Sequence, residues 1–239
     1  MQKIDPNKIP THVAIIMDGN RRWARDKNLP VSAGHKEVVD KRIEELIEAA
    51  AELGIPYITF WAWSSENWRR PELEIKGIMK LFRWGLKRKM KRFIERGARL
   101  NVIGKWRELD KDIVEGIEEA LEASKDNDRI TVTFAVNYGG RDELLRAFTK
   151  IEAEIRNSKF EFRNLNQETF TTFLDTKDLP DPDLIIRPGG EQRLSGFMLW
   201  QSEYAELIFP EVLMPDFGKE ELIDSIAEFQ KRCRRFGGS

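Results

Sequence analysis

The chain has 239 residues, of which 41% are hydrophobic and 34% charged, with 40 Lys+Arg against 41 Asp+Glu. The apolar share excludes a disordered polyelectrolyte, and a net charge of -1 argues against a globally basic nucleic-acid binder while leaving room for a local basic patch. One cysteine, Cys233, excludes an internal disulfide and a multi-thiolate metal site.

In chain order, MQKIDPNKIP is polar and broken by proline, so no secretory signal is read there. His12 to Met17 is an apolar burst that predicts a strand, ended by the turn signal Asp18-Gly19-Asn20. Ile43, Leu46, Ile47 and Ala50 recur on one face and predict a helix from about Lys36 to Leu53, stopped by Gly54. Tyr57 to Trp63, aromatic and β-branched, predicts a second strand. Ile78, Leu81, Phe82 and Leu86 predict a long helix over Leu73 to Ile94. Strand ARLNVIG, a helix from about Asp110 to Ser124 and a strand over Ile130 to Val136 follow. Helix returns at Asp142 to Ile155, and a polar, aromatic-spotted stretch runs to Thr172. Short strands are predicted at Leu184 to Ile186 and Glu206 to Phe209, and a last helix at Leu222 to Cys233. No run approaches the roughly 18 apolar residues that span a bilayer, and a reducing, cytoplasmic setting is expected.

Strands separated by helices of this length require right-handed crossovers, which gives an α/β fold with a mainly parallel sheet covered on both faces. With no linker and no repeat, residues 1–239 read as a single domain. Ligands in such a sheet sit beyond the carboxyl ends of the strands. Four of those ends are rich in Arg, Gly, Ser and Asn: Asp18-Gly19-Asn20-Arg21-Arg22, Ser64 through Arg70, Asn137 through Arg141, and Arg187 through Ser195. Arginine forks match phosphate oxygens, and glycine lets backbone N–H groups approach an oxyanion. Asp18, an acid among these bases, suits a divalent cation carried with a diphosphate. Neither G-x-x-x-x-G-K-[ST] nor G-x-G-x-x-G is present, so the phosphate need not belong to a nucleotide. Any one segment taken alone reads as a solvated turn; the coincidence of four carries the inference.

HVAIIMDGNRRWAR, AGH, WSSENWRRP, NYGGR, IIRPGGEQRLSGFMLWQSEYAELIF and RRFGG occur in this order. Together they resemble the cis-prenyltransferases, the undecaprenyl diphosphate synthase-like isoprenyl transferases, from about His12 to Gly238. The resemblance implies a six-stranded sheet flanked by helices with a hydrophobic tunnel between them. It implies elongation of an allylic prenyl diphosphate by isopentenyl diphosphate, with a cis double bond at each step and Mg²⁺ as cofactor. By the same resemblance Asp18 places the metal, with Glu206 of YAEL as a second acid. Gly19, Asn20, Arg21, Arg22 and Trp23 form the allylic diphosphate motif. Ser64, Asn67 and His35 match positions tied to diphosphate handling and proton removal. Trp68, Arg70 and Glu74 match a loop that closes over the substrates, and Arg187, Arg193 and Ser195 match the isopentenyl diphosphate site. A homodimer is implied, with Arg235-Phe236-Gly237 reaching the partner's diphosphate site.

Other residues carry plainer readings. His12, at a strand start, reads as structural. Phe82, Leu86, Val102, Phe134 and Val136 are either core or tunnel lining, and small Ala62 leaves room for a growing chain. Lys87 to Arg99 is basic: a solvated helix face, or a peripheral contact with an anionic membrane into which the product partitions. Nucleic acid is not an expected partner.

The chain departs from the family pattern at three places. Val31 and Ser32 stand where a basic residue is expected before the GH motif. Glu37 and Val38 stand where a glycine is expected after it, and Pro188 replaces the threonine of RTGG. Two alternatives follow: a non-catalytic partner subunit, against which Asp18 and Asn20 argue, and a same-fold enzyme that joins prenyl units in a non-head-to-tail manner.

Overall fold

The computed structural model describes residues 4–232. Cys233 and the Arg235-Phe236-Gly237 motif therefore lie outside the described residues. Six strands form one sheet in the order β3-β4-β2-β1-β5-β6, and every neighbouring pair is parallel. They are β1 (His12–Ile16), β2 (Tyr57–Ser64), β3 (Ala98–Ile103), β4 (Ile130–Tyr138), β5 (Leu184–Ile186) and β6 (Glu206–Ile208). β1 lies between β2 and β5, so its carboxyl end is where successive crossovers part to opposite sides of the sheet. That is the crevice in which open α/β sheets bind ligands.

Among the described residues nine α-helices accompany the strands: α1 (Asn20–Asp26), α2 (Val31–Glu37), α3 (Ile43–Glu52), α4 (Glu72–Arg88), α5 (Met90–Glu95), α6 (Lys111–Ser124), α7 (Gly140–Arg156), α8 (Gln167–Thr171) and α9 (Lys219–Lys231). The sequence reading missed α1, which is short and begins inside the turn signal itself. It also started the next helix late, because α2 runs into α3 through a π-helical turn over Val38–Arg42. The long helix expected over Leu73 to Ile94 is two helices. It breaks at Lys89, whose φ of -102° departs from helical geometry.

β1 shows why the sheet is double-faced. Val13 and Ile15 pack with Leu46 and Ile47 of α3 and with Ile226 of α9, whereas Ala14 and Ile16 pack with Phe197 and Met198. Successive side chains point to opposite faces, so a strand covered on both sides reads as an unbroken apolar run. A third cluster joins Trp63 and Val136 to Ile78 of α4 and Ile113 of α6. Fully burying such side chains contributes roughly 1.5–3 kcal/mol each. His12 is structural as expected: its ring is fully buried, with Nδ1 2.7 Å from the Pro180 carbonyl and Nε2 2.7 Å from Thr59 Oγ1.

Candidate active site

A cavity of about 1020 Å³ opens at the carboxyl ends of β1 and β2 and continues between the sheet and α2 to α6. Its mouth is polar and cationic, with Asp18, Arg21, Arg22, Arg70 and Arg187 among its walls. Its interior is apolar apart from Lys89. Phe82, Leu86, Val102, Phe134 and Val136 all line it, as does Ala62, so these side chains face a space rather than a filled core. Leu100 also lines it and sits level with Val13 across the sheet, through Val132 and Ile58. Asp18 lies five residues beyond Val13, so the cavity runs roughly 17 Å along the strands.

At the mouth, Arg187 ends β5 and is 5% exposed. Its Nε and Nη2 donate to Asp18 Oδ2 at 3.1 and 2.7 Å, and Nη1 donates to Ser195 Oγ at 2.8 Å and to the Arg193 carbonyl. Asp18 Oδ1 accepts from the Gly19 amide at 2.6 Å. Arg22 donates to the Gly189 carbonyl at 2.8 Å. Arg70 pairs with Glu74 at 3.0 Å, and Arg21 approaches the same carboxylate at 3.9 Å. Asn67 caps the turn after β2, accepting from the Ser64 amide at 3.2 Å. Guanidinium groups from α1, the β2 loop and the end of β5 thus meet at the mouth, Arg187 on Asp18 and Arg70 and Arg21 on Glu74.

His35, on α2, lines the cavity beside these arginines. Burial lowers its pKa to about 4, and the Arg70 charge adds to that effect. Its Nε2 is buried without a hydrogen-bond partner among the described residues. The ring is therefore a neutral imidazole at physiological pH. Gly34 before it is obligatory: a Cβ there would meet the Asn20 carbonyl oxygen at 2.1 Å, so the glycine lets α2 rest on the start of α1.

The glycine amides behave differently from the expectation. Gly189 donates to the Pro210 and Val212 carbonyls at 2.8 Å, and Gly190 to Pro210 at 2.9 Å. These donors are spent on the loop after β6, so Gly189 and Gly190 offer no amides to the mouth. Pro188 is buried and does not line the cavity.

Gly19, Asn20, Ser64, Asn67 and Ser195 also line the cavity, but five expected site residues do not. Trp23 is buried, with Lys27 4.1 Å over its ring. Trp68 packs edge-on against Trp63 and donates to Asn137 Oδ1 at 2.8 Å. Glu74 stands behind Arg70, and Arg193 turns outward to Glu191. Glu206 is not brought to Asp18. It opens β6 opposite Leu184, at the amino ends of the strands, and pairs with Arg232 at 2.9 Å. Arg25 lines the mouth and was missed; it follows Arg21 by four residues and Arg22 by three, the spacing that places it on their helix face.

The family model "Prenyltransf", described as "Putative undecaprenyl diphosphate synthase", matches residues 16–237. The chain belongs to this family of cis-prenyltransferases. Isoprenyl transferase from Zymomonas mobilis is 46% identical over 230 residues, covering 96% of this chain and 92% of that one. The crystal structure of lavandulyl diphosphate synthase from Lavandula x intermedia, in complex with dimethylallyl diphosphate, superposes with a TM-score of 0.94 at 34% identity, covering 97% of this chain and 99% of that one. That of a probable undecaprenyl diphosphate synthase from Campylobacter jejuni gives 0.77 at 35% identity, covering 99% and 100%. The parallel sheet and its helices are thus the cis-prenyltransferase fold, and this cis-prenyltransferase carries the arginine-ringed mouth and apolar cavity that prenyl transfer needs.

The donor set at the mouth fits Mg²⁺. A hard cation that keeps several waters is held by one or two carboxylates together with substrate phosphates. Asp18 supplies one carboxylate, its side chain 34% exposed towards the cavity. No group of three or more His, Cys, Asp or Glu side chains arranged for a metal occurs among the described residues, so the remaining ligands would come with the substrate.

Proposed function

We propose that the chain condenses isopentenyl diphosphate with an allylic prenyl diphosphate in a Mg²⁺-dependent reaction, giving a medium or long polyprenyl diphosphate with cis double bonds. The observation that carries this reading is the joining of an arginine-ringed mouth to a deep apolar cavity in one continuous space. A diphosphate head and a hydrocarbon tail need those two environments at once.

Asp18 would hold Mg²⁺, which when bound neutralises the departing diphosphate. Arg21, Arg22 and Arg25 on α1 grip the allylic diphosphate, while Arg187 and Ser195 serve the isopentenyl diphosphate, joined by Arg193 once it turns in from Glu191. The allylic C–O bond breaks, and its electron pair leaves with the diphosphate. Fixed guanidinium charges aimed at that leaving group stabilise the transition state more than the ground state. The alkene of isopentenyl diphosphate then attacks the allylic carbon, and proton loss forms the new double bond. The proton goes to a diphosphate oxygen or to a relay through Asn67 and His35. A neutral imidazole with an open nitrogen suits the relay. Trp68 and Glu74 hold the β2 loop, from which Arg70 reaches the mouth.

The reading includes a homodimer. Leu145 and Phe148 on α7 are 68% and 56% exposed, and Phe148 continues through Phe170 to Trp200 in ring contacts of 5.4 and 4.6 Å. Apolar surface of this kind suits a second copy of the chain. No helix among the described residues is long and apolar enough to cross a membrane. A cytoplasmic enzyme that meets the bilayer through its product fits that observation.

Incubating the purified chain with Mg²⁺, labelled isopentenyl diphosphate and farnesyl diphosphate yields extended prenyl diphosphates. Absence of incorporation with farnesyl, geranyl, geranylgeranyl and dimethylallyl primers alike overturns the reading. A second reading, non-head-to-tail joining, is favoured by apolar Val31 at the mouth and by the likeness to lavandulyl diphosphate synthase. NMR of the product separates the two.

A further inference from the structure

The deep wall of the cavity has one charged member. Every other lining residue from α4, α5, β3 and α6, such as Leu81, Leu86, Met90 and Phe93, is apolar or glycine; Lys89 is the exception. It is 7% exposed and sits at the break between α4 and α5. Its Nζ donates to the Asp40 carbonyl at 2.5 Å and lies 3.1 and 3.3 Å from the Asp40 and Glu44 carboxylates. Trp84 lies under the ammonium at 5.6 Å. Asp40 belongs to the π-helical turn, so Lys89 ties the α4–α5 break to the junction of α2 and α3.

We infer that Lys89 is a specificity-determining residue that limits how far the growing hydrocarbon advances, and so sets the length of the product. The inference rests on the prenyl-transfer reading above. A buried ammonium held by two carboxylates and a carbonyl has no apolar alternative position, because moving it would leave unpaired charges in a poorly solvated place. An advancing chain of methyl and methylene groups offers it nothing in exchange. The apolar members of the wall can shift rotamers to admit a tail; the Lys89 side chain, tied at its ammonium to Asp40 and Glu44 outside the lining, cannot. Loss of the cation leaves Glu44 held by Arg92 at 2.7 Å and Arg96 at 3.4 Å, and Asp40 is 38% exposed and open to water. The fold thus tolerates an apolar residue of similar length at this position.

The test compares product-length distributions, by mass spectrometry, for the unaltered enzyme, Lys89→Met, Lys89→Arg and Glu44→Gln with the same primer. Prenyl extension by the unaltered enzyme comes first; its failure overturns the activity reading rather than this one. Lys89→Met is expected to shift the most abundant product upward by at least one five-carbon unit. Lys89→Arg, which keeps the cation, retains the original length, and Glu44→Gln, which loosens the anchor, broadens the distribution upward. Should Lys89→Met fail to fold, Glu44→Gln decides. Unchanged lengths in both, or lengthening in Lys89→Arg equal to that in Lys89→Met, overturns the inference.

Discussion

Arg187 Nη2 lies 2.7 Å from Asp18 Oδ2, so the end of β5 is bonded to the end of β1 across the crevice. The same guanidinium reaches Ser195 and the Arg193 carbonyl, which makes Arg187 the link between the segment after β1 and the loop after β5.

Asp18→Asn is therefore expected to lower prenyl transfer by roughly 10³-fold, the scale of losing one preorganised electrostatic contact to a transition state. It also leaves Arg187 buried without its counter-ion, at about 1–2 kcal/mol after allowing for the partial exposure of Asp18. Steady-state rates and chemical denaturation measured side by side check both. A near-normal rate would show that the metal is held elsewhere.

Stability is expected to fall as pH drops from about 6.5 towards 4. Burial lowers the pKa of both His12 and His35 to about 4, so the unfolded chain binds protons in this window that the folded chain does not. The neutral rings are fully compatible with folding above pH 6.5, and the stability is lost on acidification. The linkage amounts to about 2 kcal/mol per histidine at pH 5. Urea denaturation at pH 7 and pH 5 measures it, and His35→Asn should remove roughly half of the difference.

Gly34→Ala tests the seat of α2 on α1. Alanine is the better helix former by about 1 kcal/mol, so a net loss isolates the clash with the Asn20 carbonyl. We expect destabilisation by about 1–3 kcal/mol, as for overpacking, together with a raised KM for the allylic substrate. Thermal melts and kinetics with varied allylic primer provide the check.

Phe148→Glu, alone or with Leu145→Glu, should convert a dimer to monomers by placing charge in an apolar contact. Light scattering coupled to gel filtration reads the mass directly. A dimer that survives both changes moves the interface off α7.

The alternation of strands and helices was legible because β1 and β5 are unbroken apolar runs and β2 is aromatic and β-branched, as Val13 to Ile16 shows for β1. The arginine-rich rim was legible because strand ends fall together once the sheet is parallel, but only the segments after β1, β2 and β5 line the cavity, and none of Asn137 to Arg141 does. The break at Lys89 was not, since an apolar period runs straight through it and the tie to Asp40 is a tertiary contact. Trp23, within a conspicuous motif, supports α1 from beneath rather than facing the cavity; motif membership does not say which way a ring points. Glu206 likewise shares a motif with the rim, but strand register puts it at the opposite end of the sheet from Asp18. Arg25 lies outside the short DGNRRW run and is found only by continuing the helical count.

The backbone donors of Gly189 and Gly190 already serve the loop behind them, so this pocket holds no rigid amide cradle from that loop. On the proposed reading its hold on pyrophosphoryl groups draws on cationic side chains, and the pull of the exposed ones, such as Arg21, is weakened by dissolved ions. Capture of substrate by this protein should accordingly slow as ionic strength rises, to a degree that an amide-lined nest would not share.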